Sequence, residues 1–130
     1  MKVLVDTSVW IDYFRSGKAT GLLDDLIDSS VVVTNNLILT ELIPSLRVAG
    51  QVKVIKKLEA LKAYEIAVNW REIMWVQYQC LKSGHNGIGI PDLMIGQNAG
   101  QNECHVWSLD GHFQILARKF GFQLLVDKAP

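Results

Sequence analysis

Two cysteines, three prolines and no excess of charge of either sign set the first limits on this chain. Cys80 and Cys104 show neither a CxxC pair nor a Cys/His zinc spacing, and two cysteines seldom define a disulfide framework. They read as reduced, half-buried thiols of a cytoplasmic protein. Thirteen basic side chains balance thirteen acidic ones, which excludes the global positive field of a nonspecific nucleic-acid binder. A polyanionic substrate must then be held locally, by a metal or a small basic cluster. No apolar stretch approaches the roughly 20 residues of a membrane span. The N-terminal run Val3-Leu4-Val5 also meets Asp6 before it could serve as a signal segment. Repeats, low-complexity tracts and linkers are absent from the sequence as well.

What is present is ample apolar material. A chain of 130 residues that is 49% apolar has the size and content of one domain with a real core, spanning residues 1–130. Short Val-rich runs alternate with longer amphipathic stretches, the pattern of an α/β domain with a mostly parallel sheet of four to five strands. Strands are expected near Lys2 to Val5, Val31 to Val33, Tyr64 to Ile66, Cys104 to Ser108 and Gln123 to Leu125. Helices are expected over Val9 to Phe14, Thr20 to Ser29, Leu37 to Val48, Val52 to Leu61, Trp70 to Lys82, Asp92 to Asn98 and His112 to Phe120. Gly50 separates two helices, and Gly121 follows Lys119-Phe120 as a helix stop should. The Gly-rich segment Ser83 to Ile90 reads as a mobile loop that ends at Pro91, a residue suited to the first turn of a helix.

Four acidic residues then stand out by position. Asp6 ends Val3-Leu4-Val5, Glu41 lies among Leu39, Leu42 and Ile43, Asp92 follows Pro91, and Asp110 ends Val106-Trp107-Ser108-Leu109. A carboxylate buried at the edge of an apolar segment needs a partner, water or a metal. No cationic residue is adjacent to any of the four, so convergence would favour Mg²⁺ or Mn²⁺ over a salt-bridge network. Asp6 and Asp110 each follow an expected strand, and ligands of open parallel sheets bind outside the carboxyl ends of the strands. Asp92 falls in a first helical turn, where the macrodipole favours an ionised carboxylate. Glu41 belongs to a helix that follows the second strand, and Pro44 deprives the Thr40 carbonyl of its helical partner beside it. Taken singly, each Asp is better explained as an N-cap or turn residue, and Glu41 as a solvated helix residue.

The combination, however, carries a resemblance. Val5-Asp6-Thr7-Ser8-Val9-Trp10-Ile11-Asp12, Thr40-Glu41-Leu42, Ile90-Pro91-Asp92-Leu93-Met94-Ile95-Gly96 and Ser108-Leu109-Asp110-Gly111-His112-Phe113 resemble, in order, the motifs of PIN-domain nucleases, and among them the VapC toxins of toxin–antitoxin pairs. The resemblance implies a three-layer α/β/α sandwich and Mg²⁺- or Mn²⁺-dependent cleavage of RNA. It further implies a homodimer and a cognate antitoxin that blocks the acidic groove. Carried over by position, the family's acidic quartet falls on Asp6, Glu41, Asp92 and Asp110. Its hydroxyl positions fall on Thr7 or Ser8 and on Ser108, residues suited to orienting carboxylates and equally to capping. Two departures leave the quartet intact: Gly96, Asn98 and Gly100 weaken the sixth helix, interior glycine costing roughly 1 kcal/mol against alanine. Gly111 stands where many relatives carry a basic or polar residue.

Mg²⁺ prefers six oxygen ligands and keeps several waters. Asp6 and Asp92 are therefore expected as principal ligands, with Asp110 and Glu41 completing the site directly or through water. A metal-activated water would attack phosphorus and leave 5′-phosphate and 3′-hydroxyl ends. Arg15, Lys18, Arg47 and Lys82, the last beside His85, are candidates for RNA phosphate contact, although so sparse a charge is usually a solvated face. His85, His105 and His112 are scattered, and an all-oxygen site needs none of them. Core packing is the default for Trp70, Trp75 and Tyr78, a dimer or antitoxin patch the alternative. Leu22, Leu23, Leu26 and Ile27 are the expected seat of a partner helix. Two other functions compete: a catalytically silent PIN-like binding module, and an aspartyl phosphotransferase, which wants a second Asp where Ser8 stands.

Overall fold

In the computed structural model, which describes residues 1–125, five short strands form one all-parallel sheet. They are β1 (Val3–Val5), β2 (Val32–Asn35), β3 (Lys62–Tyr64), β4 (His105–Trp107) and β5 (Gln123–Leu124), in the spatial order β3-β2-β1-β4-β5. Around them lie α1 (Thr7–Phe14), α2 (Thr20–Asp28), α3 (Asn36–Val48), α4 (Val52–Glu59), α5 (Trp70–Lys82), α6 (Ile90–Gln101) and α7 (His112–Phe120). The result is a three-layer α/β/α sandwich. Every residue of β1 and β2 is buried, as parallel strands covered on both faces require.

The strand order fixes where a ligand belongs. From β1 the chain winds outward through β2 to β3, then returns to the other side of β1 for β4 and β5. The direction of winding therefore reverses between β1 and β4, and the crevice beyond their carboxyl ends is the topological switch point. The register pairs Val5 with Trp107, so Asp6 and Ser108 leave the sheet side by side.

Element boundaries differ from the sequence expectation in instructive places. β3 is Lys62–Tyr64 rather than Tyr64 to Ile66, because its register sets Lys62 against Val33 and Tyr64 against Asn35. It is an edge strand headed by lysine, a composition that protects an edge but hides the strand from a hydrophobicity scan. α1 starts at Thr7 rather than Val9, since the extended Asp6 already offers its carbonyl to the Val9 and Trp10 amides. α6 runs past Asn98 to Gln101 despite its two glycines.

Those glycines are where α6 meets α7. A Cβ on Gly96 would come within 2.9 Å of Phe120 Cδ2, and one on Gly100 would run into the Phe120 carbonyl oxygen. The propensity penalty is thus offset by close helix contact. Gly121 ends α7 in the left-handed region, with φ of 76°. Buried amides tie the other side of α6: Asn35 Nδ2 donates to Asn98 Oδ1 at 3.0 Å, and Asn98 Nδ2 donates to the Glu65 carbonyl at 3.0 Å.

Several side chains lie elsewhere than expected. Cys80 and Cys104 are free thiols, but fully rather than half buried. Leu23 and Leu26 are core residues, and Leu22 and Ile27 are partly buried against that core. Conversely, Trp70, Met74, Trp75 and Tyr78 are each more than half exposed, while only Ile73, Val76 and Cys80 of α5 point inward. Core packing is therefore the wrong account of those aromatics. The segment before α6, exposed from Ser83 to Gly87, is attached at both ends. Ile88 is buried, its carbonyl accepts from Gln77 Nε2 at 3.2 Å, and the His85 amide bonds the Cys80 carbonyl at 2.8 Å. Among the described residues no helix is long and apolar enough to cross a membrane.

Candidate metal centre

Asp6 is the buried anchor of the site, 5% exposed at the end of β1. It holds the N-cap position of α1, yet its carboxylate caps no amide. Instead Ser8 Oγ and Ser108 Oγ each donate to Asp6 Oδ2 at 2.8 Å, which leaves Oδ1 with no donor among the described residues. The two hydroxyls are 3.3 Å apart, and they also receive the Leu109 and Asp110 amides at 3.0 and 2.9 Å. One small network thus joins the ends of β1 and β4 and fixes one face of a carboxylate.

Two of the other acids, Glu41 and Asp92, lie near enough for the charge of Asp6 to act on them, and Asp110 lies beside Asp92. Glu41, in the second turn of α3, accepts from Thr7 Oγ1 at 3.0 Å. Its pKa is raised by desolvation first, with the Thr7 hydrogen bond opposing and the charges of Asp6 and Asp92 adding to the rise. Asp92, in the first turn of α6, is raised mainly by desolvation; His112 opposes, and the charges of Asp6 and Asp110 add. Each of the four carboxylates therefore feels, or is felt by, another of the set. Asp110 does fill the turn role its residue type suggests, its Oδ1 accepting the His112 amide at 2.9 Å.

Sequence reasoning passed over one member. His112 Nδ1 lies 3.4 Å from Asp92 Oδ2 and 3.4 Å from Asp110 Oδ1, and with those carboxylates it forms a group whose candidate ligand atoms lie within 4.8 Å of one another. The available signal was the Asp-Gly-His spacing at a helix start, which puts the imidazole two residues after a turn-forming carboxylate. These are the only ion pairs among the described residues, so no Lys or Arg neutralises the cluster. Among the described residues Asp92, Asp110 and His112 are the group whose ligand atoms lie close enough to share an ion, and Asp6 and Glu41 stand outside it. Carboxylates with donor-free oxygens and no Lys or Arg partner are a donor set that fits a divalent cation.

Among the described residues the expected phosphate contacts form no ion pair with the four acids. Arg15 and Lys18 are exposed near the α1–α2 connection, and Arg47 lines a depression on α3 with Thr40 and Pro44. Lys82 lies over the Tyr78 ring, 5.9 Å from its centroid. A cleft of about 420 Å³ between α5 and α7 instead presents Arg118 and Lys119 together with His85. Gln114 lines both that cleft and a smaller one of about 220 Å³ containing Ser108 and Asp110.

An α/β/α sandwich with acidic side chains at the carboxyl ends of its central strands defines a class of domain whose ligands bind at that edge. The profile of the PIN domain matches residues 3–119, nearly the whole chain, and the chain belongs to that family. PIN domains are generally metal-dependent nucleases. No curated protein matches the chain.

Proposed function

We propose that this protein is a Mg²⁺- or Mn²⁺-dependent endoribonuclease, the toxin of a VapBC-type toxin–antitoxin pair. The observation that supports the nuclease reading is the Asp92–Asp110–His112 group in a PIN-family domain, with Glu41 and Asp92 pushed toward protonation by burial and by like charge that includes Asp6. Such repulsion is relieved by a bound cation.

Asp6 and Asp92 would be the principal ligands, with Asp110 and Glu41 completing the shell. When bound, a divalent ion supplies Lewis-acid charge that acidifies water and offsets the charge developing on phosphoryl and leaving oxygens. The chain's own contribution is positional. Ser8 and Ser108 fix Asp6 Oδ2 and leave Oδ1 without a donor among the described residues, and Thr7 fixes one Glu41 oxygen. Arg118, Lys119 and His85 would receive phosphates of an RNA strand leading away from the acidic centre, in place of Arg15, Lys18, Arg47 and Lys82.

The partners follow from exposed apolar surface. Trp70, Met74, Trp75 and Tyr78 form an apolar stripe on α5, Trp75 and Tyr78 stacking at 5.6 Å, and this stripe would pack against a second copy of the chain. An antitoxin segment would occupy the acidic groove. Introducing charge with Trp75→Glu and Tyr78→Glu is expected to convert a dimer to monomer in light scattering. A monomeric parent chain would refute that interface.

The decisive experiment uses protein freed of any partner and incubated with structured and single-stranded RNAs in Mg²⁺ or Mn²⁺. Cleavage leaving 5′-phosphate and 3′-hydroxyl ends is expected, and Asp6→Asn and Asp92→Asn should each abolish it while leaving the circular dichroism spectrum unchanged. RNA left intact under every condition would overturn the nuclease reading.

A further inference from the structure

We propose that His112 Nδ1 is itself a ligand of the divalent ion, a nitrogen donor beside Asp92 and Asp110 that makes the site favour Mn²⁺ over Mg²⁺. The inference rests on the metal-centre reading above, but not on RNA being the substrate.

Geometry separates a ligand from a hydrogen-bonding neighbour. Charge-assisted N–H···O bonds to carboxylates run about 2.7–2.9 Å. His112 Nδ1 stands at 3.4 Å from one oxygen of Asp92 and at the same 3.4 Å from one of Asp110. Nδ1 is thus shared between two carboxylates and committed to neither. With its proton on Nε2, the Nδ1 lone pair and one oxygen of each carboxylate, all within 4.8 Å of one another, would be available to the same cation.

Both sides of the ring suit this role. Its own backbone amide donates to Asp110 Oδ1 at 2.9 Å, fixing His112 to the carboxylate it would share an ion with. On the far side Gly87 leaves Nε2 room, since a Cβ there would come within 3.4 Å of it. Chemistry then sets the preference. Mg²⁺ binds almost solely oxygen, whereas imidazole suits the borderline transition ions, so one nitrogen among carboxylates tilts a hard site toward Mn²⁺.

The test uses the whole chain, stripped with chelator and loaded with Mn²⁺ alone. Pulsed electron paramagnetic resonance should show ¹⁴N modulation from a directly bound imidazole, and His112→Gln should remove it. By titration calorimetry the same variant should lose about tenfold or more in Mn²⁺ affinity while Mg²⁺ affinity changes far less. Two results would overturn the proposal: no ¹⁴N modulation in the wild-type chain, or an equal loss for both ions in the variant. The second outcome would make His112 a residue that merely positions carboxylates. If His112→Gln fails to fold, the wild-type spectrum alone decides. No RNA is present, so failure to cleave RNA and failure of this assignment are read separately.

Discussion

Removing the Ser108 hydroxyl tests whether the Asp6 anchor is built as described. Ser108 Oγ donates to the Asp6 carboxylate at 2.8 Å and accepts the Asp110 amide at 2.9 Å. Asp6 is almost inaccessible to solvent, so water cannot fully replace the lost donor. The Asp110 amide lies in an exposed turn, where water replaces its partner at little cost. The perturbation is therefore close to one charged hydrogen bond, worth about 1.5–3 kcal/mol. In a domain of this size that corresponds to roughly 5–15 °C in Tm. Ser8 donates to the same oxygen, so each single alanine variant leaves Oδ2 with one donor. The double variant leaves it with none, and its loss should exceed the sum of the single losses. Thermal and urea unfolding in chelator at neutral pH, with Ser108→Ala, Ser8→Ala and the pair, measures all three terms. A single loss below about 0.5 kcal/mol, the level of an ordinary surface substitution, would refute the anchoring role.

Three further outcomes are expected. Gly100→Ala should destabilise by about 1–3 kcal/mol through overpacking against the Phe120 carbonyl, against the sign that helix propensity alone gives. Gly21→Ala, in α2 with open space around its Cβ, should instead stabilise by about 0.5–1 kcal/mol; urea midpoints read both. The third concerns pH. Glu41 and Asp92 have folded pKa values raised above their unfolded ones, so the stability they contribute is complete below the unfolded values and is lost as pH rises through the folded values. In chelator, Glu41→Gln and Asp92→Asn should match the parent chain in acid and become the more stable proteins near pH 7.5. A parent chain that is the more stable at pH 7.5 would contradict the sign.

Much of this molecule was legible because its signals are local. Val3-Leu4-Val5 and Val106-Trp107 are short apolar runs ending in polar residues, which is how buried parallel strands read, and the acids at their ends follow from that placement. β3 was displaced because an edge strand of Lys62, Ala63 and Tyr64 has no core face to show. The aromatics of α5 misled for a different reason. Periodicity says which residues share a face, but the exposure of Trp75 and Tyr78 depends on whether a neighbour covers that face, and none does.

The site shows the same division at finer scale. Asp6, Asp92 and Asp110 each had a competing explanation as a cap or turn, and composition cannot choose between the two. Hydrogen bonding separates them: Asp6 caps nothing and takes two serine hydroxyls on one oxygen, whereas Asp110 bonds the His112 amide. His112 escaped because its partner Asp92 is twenty residues away, brought near only by the packing of α6 on α7. That packing in turn needs Gly96 and Gly100, residues that by helix propensity alone look like defects. The close α6–α7 approach that these glycines allow is therefore also what brings an imidazole between two carboxylates at the metal centre.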